Sequence, residues 1–393
     1  MASLKGILQK LRFKLPRSEA ILVFDLVGLN WLERIVLPGL RYSVLATRFE
    51  TYYLTPAVLL GAFLGIRHLP WRYLFAVRFH RRRVRGLLYM LYLLSCIRAL
   101  RPRVVVTYTD NDWKFQMISR ICPNVRFFAI QNGVRSKFNL LYDTQPPPHP
   151  ANKISMPHLF CFGEVEKDVY QAYGHMVDHF HPIGSIKAGY YFTEMVRERP
   201  AIEFDICIVS QWATAVMLDG AYPEIKRSLE IMDGFLARYL KEHALRLCIA
   251  LRESTPEEIA YFERHYAGEA VLIPQNYDAM STYAAIDQSA IIVVLDSTVG
   301  REAYGLGKKV LFCNFTGHDM YDTPAHPSCF VNQERYETFN DRLEWIRHEN
   351  PSRYYLTTVT AASYLMTNLP DQPAHTLMRK ALRSAISVRD RIH

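Results

Sequence analysis

The stretch I-I-V-V-L-D-S-T-V-G-R-E-A-Y-G-L-G-K-K-V-L-F, residues 291–312, contains the pattern that decides the fold. It opens with a run of aliphatic residues, which is typical of a strand buried inside a parallel sheet. Asp296 ends this run, and polar residues then form a turn. A helix is predicted to open over Gly300–Gly305, followed by a strand over Lys309–Asn314. This order of elements is that of a βαβ unit, from which doubly wound α/β domains are built.

The same alternation of strand and helix continues on both sides of this stretch. Apolar runs of strand length predict further strands over Ala20–Val27, Tyr42–Ala46, Val104–Tyr108, Arg126–Gln131, His158–Phe162, Phe204–Ser210, Arg246–Leu251 and Ala270–Ile273. The spacing of apolar residues predicts helices over Arg81–Ala99, Trp113–Ile121, Glu164–Tyr173, Glu224–Glu242, Pro256–His265 and Asp278–Ile286.

These elements predict an α/β protein with two Rossmann-like, doubly wound domains that face a central cleft. An N-terminal domain is expected over residues 1–197 and a C-terminal domain over residues 204–360, with a charged, proline-containing linker at Glu194–Glu203. Residues 361–393 are expected to be helical and to pack back on the first domain. The length of 393 residues fits two domains, since a domain usually takes roughly 100–200 residues.

Composition excludes several classes of protein. Half of the residues are apolar and 22% are charged, so the chain is globular and not disordered. The seven cysteines lie far apart without a C-x-x-C pair, which argues against a disulfide framework or a structural zinc site and favours a reducing, cytoplasmic compartment. No H-E-x-x-H, Walker or G-x-G-x-x-G motif occurs. A metal site at His175, His179 and His181 is the alternative to an ordinary solvated loop, and no metal or other cofactor is expected.

The net charge of +9 indicates a polyanionic partner. Eight arginines and no acidic residue lie between Arg78 and Arg103, around the apolar run G-L-L-Y-M-L-Y-L-L-S-C-I. This pattern fits either peripheral contact with an anionic membrane or a core helix with solvated ends. The longest apolar runs, Leu54–Ile66 and Gly86–Ile97, are shorter than the roughly 20 residues that span a bilayer. No nucleic-acid recognition module is present, so nucleic acid is not the expected partner.

The turn after residues 291–295 is suited to a phosphate. A helix N-terminus offers backbone N–H groups and a positive dipole end, and Ser297 and Thr298 add two hydroxyl donors. Gly300 permits a close backbone approach, and the Glu302 carboxylate is placed to reach a ribose hydroxyl. The alternative interpretation is an ordinary N-cap with Glu302 in a capping box.

Other strand ends of the second domain are predicted to face the same cleft, because the carboxyl ends of parallel strands meet at one edge of a sheet. Polar or aromatic side chains that follow these strands are candidate donor-binding residues: Ser210, Gln211, Arg252, Asn276 and Tyr277. An ordinary loop role is the alternative for each.

Two polar motifs follow strands of the first domain, T-D-N-D and I-Q-N-G-V-R. Their candidate cleft residues are Asp110, Asn111, Asp112, Gln131, Asn132, Gly133 and Arg135. Asp110 or Asp112 is a candidate general base for an acceptor hydroxyl, and Gln131 and Asn132 are further catalytic candidates. Arg135 offers a bidentate fork for a carboxylate or phosphate. A tight turn at Asn132-Gly133 is the alternative.

The string S-T-x-G-x-E-A-x-x-x-G-K-x-V, starting at Ser297, resembles the donor signature of GT-B polysaccharide enzymes. These include transferases of CMP-activated Kdo or other nonulosonic acids, and CDP-glycerol phosphotransferases. The D-N and I-Q-N-G-x-R motifs resemble those of surface-carbohydrate biosynthesis transferases, and a looser likeness extends through Cys161–Tyr191. The resemblance implies that Ser297, Thr298 and the helix N-terminus hold the donor phosphate, that Glu302 lies near the nucleoside, and that no metal is essential.

The expected function is that of a GT-B glycosyltransferase, with a nucleotide-sugar as co-substrate. The favoured donor is a CMP-linked acidic sugar such as Kdo, and the expected acceptor is a cell-surface polysaccharide or glycolipid, such as capsule or lipopolysaccharide. The protein is expected in the cytoplasm, at the inner face of the membrane. Alternatives are a CDP-polyol phosphotransferase of the same fold, or a non-enzymatic protein that binds membrane or nucleic acid.

Overall fold

The computed structural model describes residues 9–48, 51–65, 81–135, 153–198 and 200–387. These residues form two six-stranded sheets in which every pair of neighbouring strands is parallel, together with a separate two-stranded pair, Leu11–Arg12 with Tyr52–Tyr53. The predicted α/β fold with two doubly wound parallel sheets is therefore confirmed. We call each sheet with the helices that cover it a lobe.

The first sheet contains strands β1 (Ile21–Phe24), β2 (Tyr42–Leu45), β3 (Val104–Thr107), β4 (Arg126–Ile130), β5 (Ser155–Cys161) and β6 (Met176–Pro182). Their order across the sheet is β2-β1-β3-β4-β5-β6. All four residues of β1 and all four of β3 are buried, because helices cover both faces of the sheet.

The second sheet contains β7 (Phe204–Val209), β8 (Leu247–Ala250), β9 (Val271–Ile273), β10 (Ser289–Val294), β11 (Lys309–Cys313) and β12 (Phe330–Val331). Their order is β9-β8-β7-β10-β11-β12, so the direction of winding reverses between β7 and β10. Ligands of doubly wound sheets bind at such a switch point, beyond the carboxyl ends of the strands. The stretch that follows β10 is the D-S-T-V turn.

The helices of the described chain are α1 (Leu29–Trp31), α2 (Pro56–Gly65), α3 (Arg81–Leu100), α4 (Trp113–Ile121), α5 (Glu164–Ala172), α6 (Ile186–Tyr190), α7 (Thr214–Met217), α8 (Pro223–His243), α9 (Pro256–His265), α10 (Ser281–Asp287), α11 (Thr298–Gly305), α12 (Tyr336–His348), α13 (Pro351–Leu365) and α14 (Ala374–Ser387). Helices α1 and α6 continue into π-helical turns, Leu32–Val36 and Tyr191–Met195. All seven cysteines are buried and unpaired.

Strand β6 was missed in the sequence because M-V-D-H-F-H-P contains no continuous apolar run. It is the edge strand of the first sheet, and none of its residues is fully buried. Polar residues are tolerated at an edge, where one side of the strand faces solvent. His179 and His181 therefore belong to a strand, and the prediction of a solvated loop there is wrong.

The C-terminal segment does not form one helix from residue 361. Helix α13 begins at Pro351, where the Asn350 side chain caps it, and it contacts both α5 of the first lobe and α11 of the second. Helix α14 then packs on the first sheet and buries Met378 and Leu382 completely. Residues 388–393 lie outside the described chain, and the domain boundaries stay a prediction.

Helix α3 contains the apolar run of the arginine-rich segment. Its residues Met90, Leu93, Leu94 and Ile97 are buried in the core of the first lobe. Arg78 and the two residues after it lie outside the described chain. Within the described residues, no helix combines the length and the hydropathy that crossing a bilayer requires.

Candidate functional site

A cavity of about 430 Å³ lies where the carboxyl ends of strands from both sheets meet. The second lobe contributes residues at and after the ends of β7, β8, β9 and β10, and the first lobe contributes one residue each from the segments after β1, β4 and β6. Predicted site residues that line this cavity are Asn132, Ser210, Gln211, Arg252, Tyr277, Ser297 and Thr298.

The turn at residues 296–299 forms one wall of the cavity. Ser297 is the N-cap of α11, with extended backbone and no hydrogen bond from its side chain to the helix. The first helical hydrogen bond is donated by the Arg301 amide to the Ser297 carbonyl, 3.0 Å away. The amides that precede it have no partner within the helix, which is the general property that makes a helix N-terminus bind anions.

The capping-box interpretation of Glu302 is wrong. Its carboxylate accepts a hydrogen bond of 2.7 Å from the Tyr283 hydroxyl and lies buried, away from the Ser297 cap. It lines a second cavity of about 60 Å³ next to the first, together with Gln131 and Asn132.

Gln211 holds the turn in place. Its Oε1 accepts the amides of Leu295 and Asp296 at 2.9 and 3.0 Å, and its Nε2 donates to the Asp296 carbonyl at 3.0 Å. The Asp296 carboxylate in turn forms an ion pair of 2.9 Å with Arg301. The wall of the cavity is therefore pre-organised by side chains on both sides of the turn.

Gly300 is required by packing. A Cβ atom at this position would lie 2.6 Å from Cγ2 of Val294, in the strand that precedes the turn. We expect Gly300→Ala to lower the free energy of unfolding by about 1–3 kcal/mol, because the helix must shift away from β10. Urea denaturation measures this, with Gly234→Ala as the control, since nothing lies within 4 Å of a Cβ atom there. An equal effect of both substitutions would contradict the packing argument.

The Arg252 loop is shaped by a buried carboxylate that the sequence did not indicate. Glu258 accepts the amides of Arg252, Glu253 and Ser254 at 2.9, 2.8 and 2.7 Å. It also accepts the Ser210 hydroxyl at 2.5 Å. Ser210 is thus engaged within the lobe, whereas the exposed Arg252 side chain borders the cavity.

The loop after β9 carries the next two predicted residues. The Asn276 side chain caps its own loop by accepting the Ala279 amide at 2.9 Å, and it does not line the cavity. Tyr277 does line it, and its ring meets that of Trp31 edge-on at 6.2 Å across the cleft. Arg34 bridges the lobes here by donating to the carbonyl of Asp278 at 2.8 Å.

The I-Q-N-G motif forms a second bridge between the lobes. The Val134 amide donates to the Thr298 hydroxyl at 2.9 Å, and a Cβ atom on Gly133 would lie 3.6 Å from that hydroxyl. The Gln131 side chain accepts the Phe162 amide at 3.1 Å and donates to the Gly133 carbonyl at 3.2 Å. The motif thus presents its backbone to the turn of the second lobe.

The Asp110 and Asp112 carboxylates do not line the cavity. Asp110 is completely buried. Arg135 donates to it from Nε at 2.8 Å and makes a second contact with its other carboxylate oxygen through Nη2. The Tyr170 hydroxyl also donates to Asp110, at 3.1 Å. Arg135 also donates to the Asn132 side chain at 3.0 Å. The Asp112 side chain caps helix α4. Asn111 lies between them and is absent from the cavity lining.

Lys187 is a cavity residue that sequence reasoning missed. Its Nζ lies 4.9 Å from the ring centroid of Trp31 and 5.7 Å from that of Tyr108. Burial lowers the pKa of Lys187, and the nearby Glu302 carboxylate opposes this shift. Burial likewise raises the pKa of Glu302. The signal for Lys187 was a serine N-cap, Ser185, placed directly after a strand, which requires β6 to be recognised first.

The lining contains a cation from each lobe, Lys187 and Arg252, and the N-terminus of helix α11. Such a set can neutralise a phosphate or a carboxylate. Among the described residues, no group of three histidine, cysteine or acidic side chains is arranged to hold a metal.

Solved structures resemble most of the chain at the level of fold. S. aureus MnaA with UDP matches with a TM-score of 0.55 at 12% identity, over 93% of this chain and 95% of that one. UDP-N-acetylglucosamine 2-epimerase from Rickettsia bellii matches with 0.51 at 14%, over 93% and 95%. The enzyme from Neisseria meningitidis bound to UDP-GlcNAc matches with 0.50 at 13%, over 93% and 98%. At these identities the likeness shows the GT-B-like fold.

Sequence comparison identifies the family. No curated protein matches the chain. A family model described as "putative O-antigen biosynthesis protein" matches residues 128–339, more than half of the chain, from strand β4 through the cavity-lining turn to helix α12. The chain therefore belongs to this O-antigen biosynthesis protein family.

Proposed function

We propose that the protein is a glycosyltransferase that moves a sugar from a nucleotide-activated donor to a glycan or lipid-linked acceptor during surface polysaccharide synthesis. The observation that carries this proposal is the cavity between the carboxyl ends of the two sheets, with the N-terminus of α11, Arg252 and Lys187 in its wall. The family and the fold support it, because a sugar-nucleotide site at this place is what two facing doubly wound domains can form.

In this proposal the second lobe binds the nucleotide. The amides at the start of α11 and the Ser297 hydroxyl contact the phosphate, and Arg252 and Lys187 neutralise its charge as the bond to the sugar breaks. Gln211 and Glu258 position this wall and its loop through the hydrogen bonds described above. Transfer then depends on alignment of donor and acceptor in a closed cleft and on stabilisation of the leaving phosphate.

The first lobe contributes the acceptor side. Asn132 lines the cavity, and Asp110 acts on it indirectly, as a positioning residue, through Arg135. The resemblance of the S-T-x-G-x-E-A string favours a CMP-linked acidic sugar as donor, while structures of the same fold contain UDP or UDP-GlcNAc. Arg252 and Lys187 suit either kind of donor, since a CMP-linked acidic sugar carries a phosphate and a carboxylate, and a UDP-sugar carries two phosphates.

Isothermal titration with CMP, CDP, UDP and GDP tests the nucleotide site. We expect one of them to bind, and Ser297→Ala to weaken that binding about tenfold or more, the effect of losing a hydrogen bond to a charged group. Ser352→Ala, at an exposed helix start, is the matched control. If none of the four nucleotides binds, or if Ser297→Ala binds as wild type does, the proposed site is wrong.

Mass analysis of the products then separates the reaction types. A transferred unit without phosphate supports glycosyl transfer, and one with phosphate identifies the polyol phosphotransferase instead. Conversion of the donor sugar to its epimer in the absence of acceptor would identify an epimerase.

A further inference from the structure

Helix α2 carries an apolar face that the fold leaves in solvent. Its sequence, P-A-V-L-L-G-A-F-L-G, contains no charged side chain and none that forms hydrogen bonds. Leu59, Leu60 and Phe63 are 53%, 59% and 71% exposed. Because their spacing places them on one side of a helix, they form a continuous surface, and such surfaces usually mark an interaction site.

The opposite side of α2 packs on the first lobe, and this contact keeps the apolar face toward solvent. Val58 is completely buried. A Cβ atom on Gly61 would lie 3.1 Å from the Ser95 hydroxyl oxygen, and one on Gly65 would lie 3.2 Å from a Leu91 methyl group. The two glycines let α2 pack closely on α3, so the helix cannot turn its leucines inward without losing this contact.

The N-terminal segment extends the face and adds charge. The Leu54 amide donates to the Arg12 carbonyl at 2.8 Å, which places Phe13 beside the start of α2. Phe13 is 76% exposed and lies between the exposed side chains of Arg12 and Lys14. We call Phe13, Leu59, Leu60, Phe63 and Leu64 the apolar face.

The two stretches of sequence that contain the apolar face carry basic residues and no acidic residue. Residues 1–18 contain five lysines and arginines and no acidic residue. Residues 51–109 contain ten arginines and no acidic residue. On the surface itself, the exposed side chains of Arg12 and Lys14 adjoin Phe13. Hydrocarbon beneath a layer of negative charge, as in a bilayer with anionic lipids, complements apolar side chains that stand next to positive ones.

We propose that the apolar face docks the protein on the surface of an anionic lipid bilayer. Leu59, Leu60, Phe63 and Phe13 enter the boundary between headgroups and acyl chains, while Arg12 and Lys14 stay at the level of the headgroups. The docking surface is separate from the cavity between the lobes, so the inference stands whether or not the proposed function is right.

Sedimentation with vesicles tests this proposal on the full chain. Wild-type protein is expected to bind vesicles that contain phosphatidylglycerol and to bind vesicles of pure phosphatidylcholine weakly. Salt should release only part of the bound protein from either kind of vesicle, because it screens charges but not apolar contacts. Leu60→Glu with Phe63→Glu should lower the affinity for phosphatidylglycerol vesicles by about tenfold or more, since two apolar contacts are lost. Arg12→Glu with Lys14→Glu should lower it only for the anionic vesicles.

The matched control is Leu356→Glu on helix α13, where the side chain is 73% exposed. It should bind vesicles as wild type does. Phe63→Ser alone serves if the double variant does not fold. The proposal is overturned if wild type does not bind anionic vesicles, or if the apolar-face variants bind them unchanged. It is also overturned if light scattering without lipid shows a dimer that Leu60→Glu dissociates, because the face then contacts a second copy.

Discussion

Replacing Arg135 with methionine is expected to lower the free energy of unfolding by about 3–5 kcal/mol, which is the usual cost of breaking a buried ion pair from one side. Asp110 is completely buried, and among the described residues the Tyr170 hydroxyl is the side-chain donor that it keeps once the guanidinium is gone. Its negative charge then remains in a medium that solvates it poorly. Urea denaturation, followed by circular dichroism, measures the loss.

The pair also offers an internal check. Adding Asp110→Asn to Arg135→Met removes the buried charge, so the double variant should recover part of the stability that the single variant loses. Arg120→Met is the matched control, since Arg120 pairs with Asp178 on the surface of the same lobe, with 36% and 46% of the side chains exposed. Such pairs contribute about 0–1 kcal/mol. A loss in Arg135→Met no greater than in Arg120→Met would rule out a structural ion pair.

Helix and strand positions could be predicted well where the chain carries local signals. The helices Trp113–Ile121 and Pro256–His265 have the predicted bounds. In both, a side chain caps the first turn, Asp112 in one and Thr255 in the other, and the second begins with proline. The β10 strand was predictable because a buried parallel strand is a continuous apolar run.

Elements at the margin of a sheet could not be predicted in the same way. Strand β6 has polar residues because it is an edge strand, and β12 contains only two residues. The segment after α13 is also tied to the first lobe, because the Thr367 amide donates to the Phe162 carbonyl at 2.7 Å. No local pattern reports such a contact.

The candidate site shows the same division. The strand ends predicted the region of the cavity, since topology places them at one edge. The sequence could not indicate that the Ser210 hydroxyl bonds Glu258, or that Asp110 bonds Arg135, because these partners are 48 and 25 residues apart. Trp31 and Lys187 reach the cavity from the first lobe and were not selected, Lys187 because its helix follows the unrecognised edge strand β6.

Lys187→Met is expected to have the largest effect on the proposed reaction. The Lys187 ammonium lies near two aromatic rings at the cavity, and a charge interacts more strongly in such a partly buried place than in open solvent. A cation at a departing phosphate typically contributes about 10²–10³-fold to turnover. The affinity for the nucleotide that binds in titration should fall about tenfold or more, since a charged hydrogen bond is lost.

Stability and nucleotide affinity together distinguish a donor-binding Lys187 from a lysine that only supports the fold. Removing it also removes the positive charge that opposes the rise in the pKa of Glu302, so this carboxyl group should accept a proton more readily and the fold should lose little stability. Lys187→Arg, which keeps the charge, should retain more of the nucleotide affinity than Lys187→Met. Lys167→Met, at an exposed position on α5, is the control for removing a lysine from the first lobe. If Lys187→Met binds nucleotide as tightly as this control but unfolds at lower urea, the lysine supports the interface between the lobes and does not contact the donor.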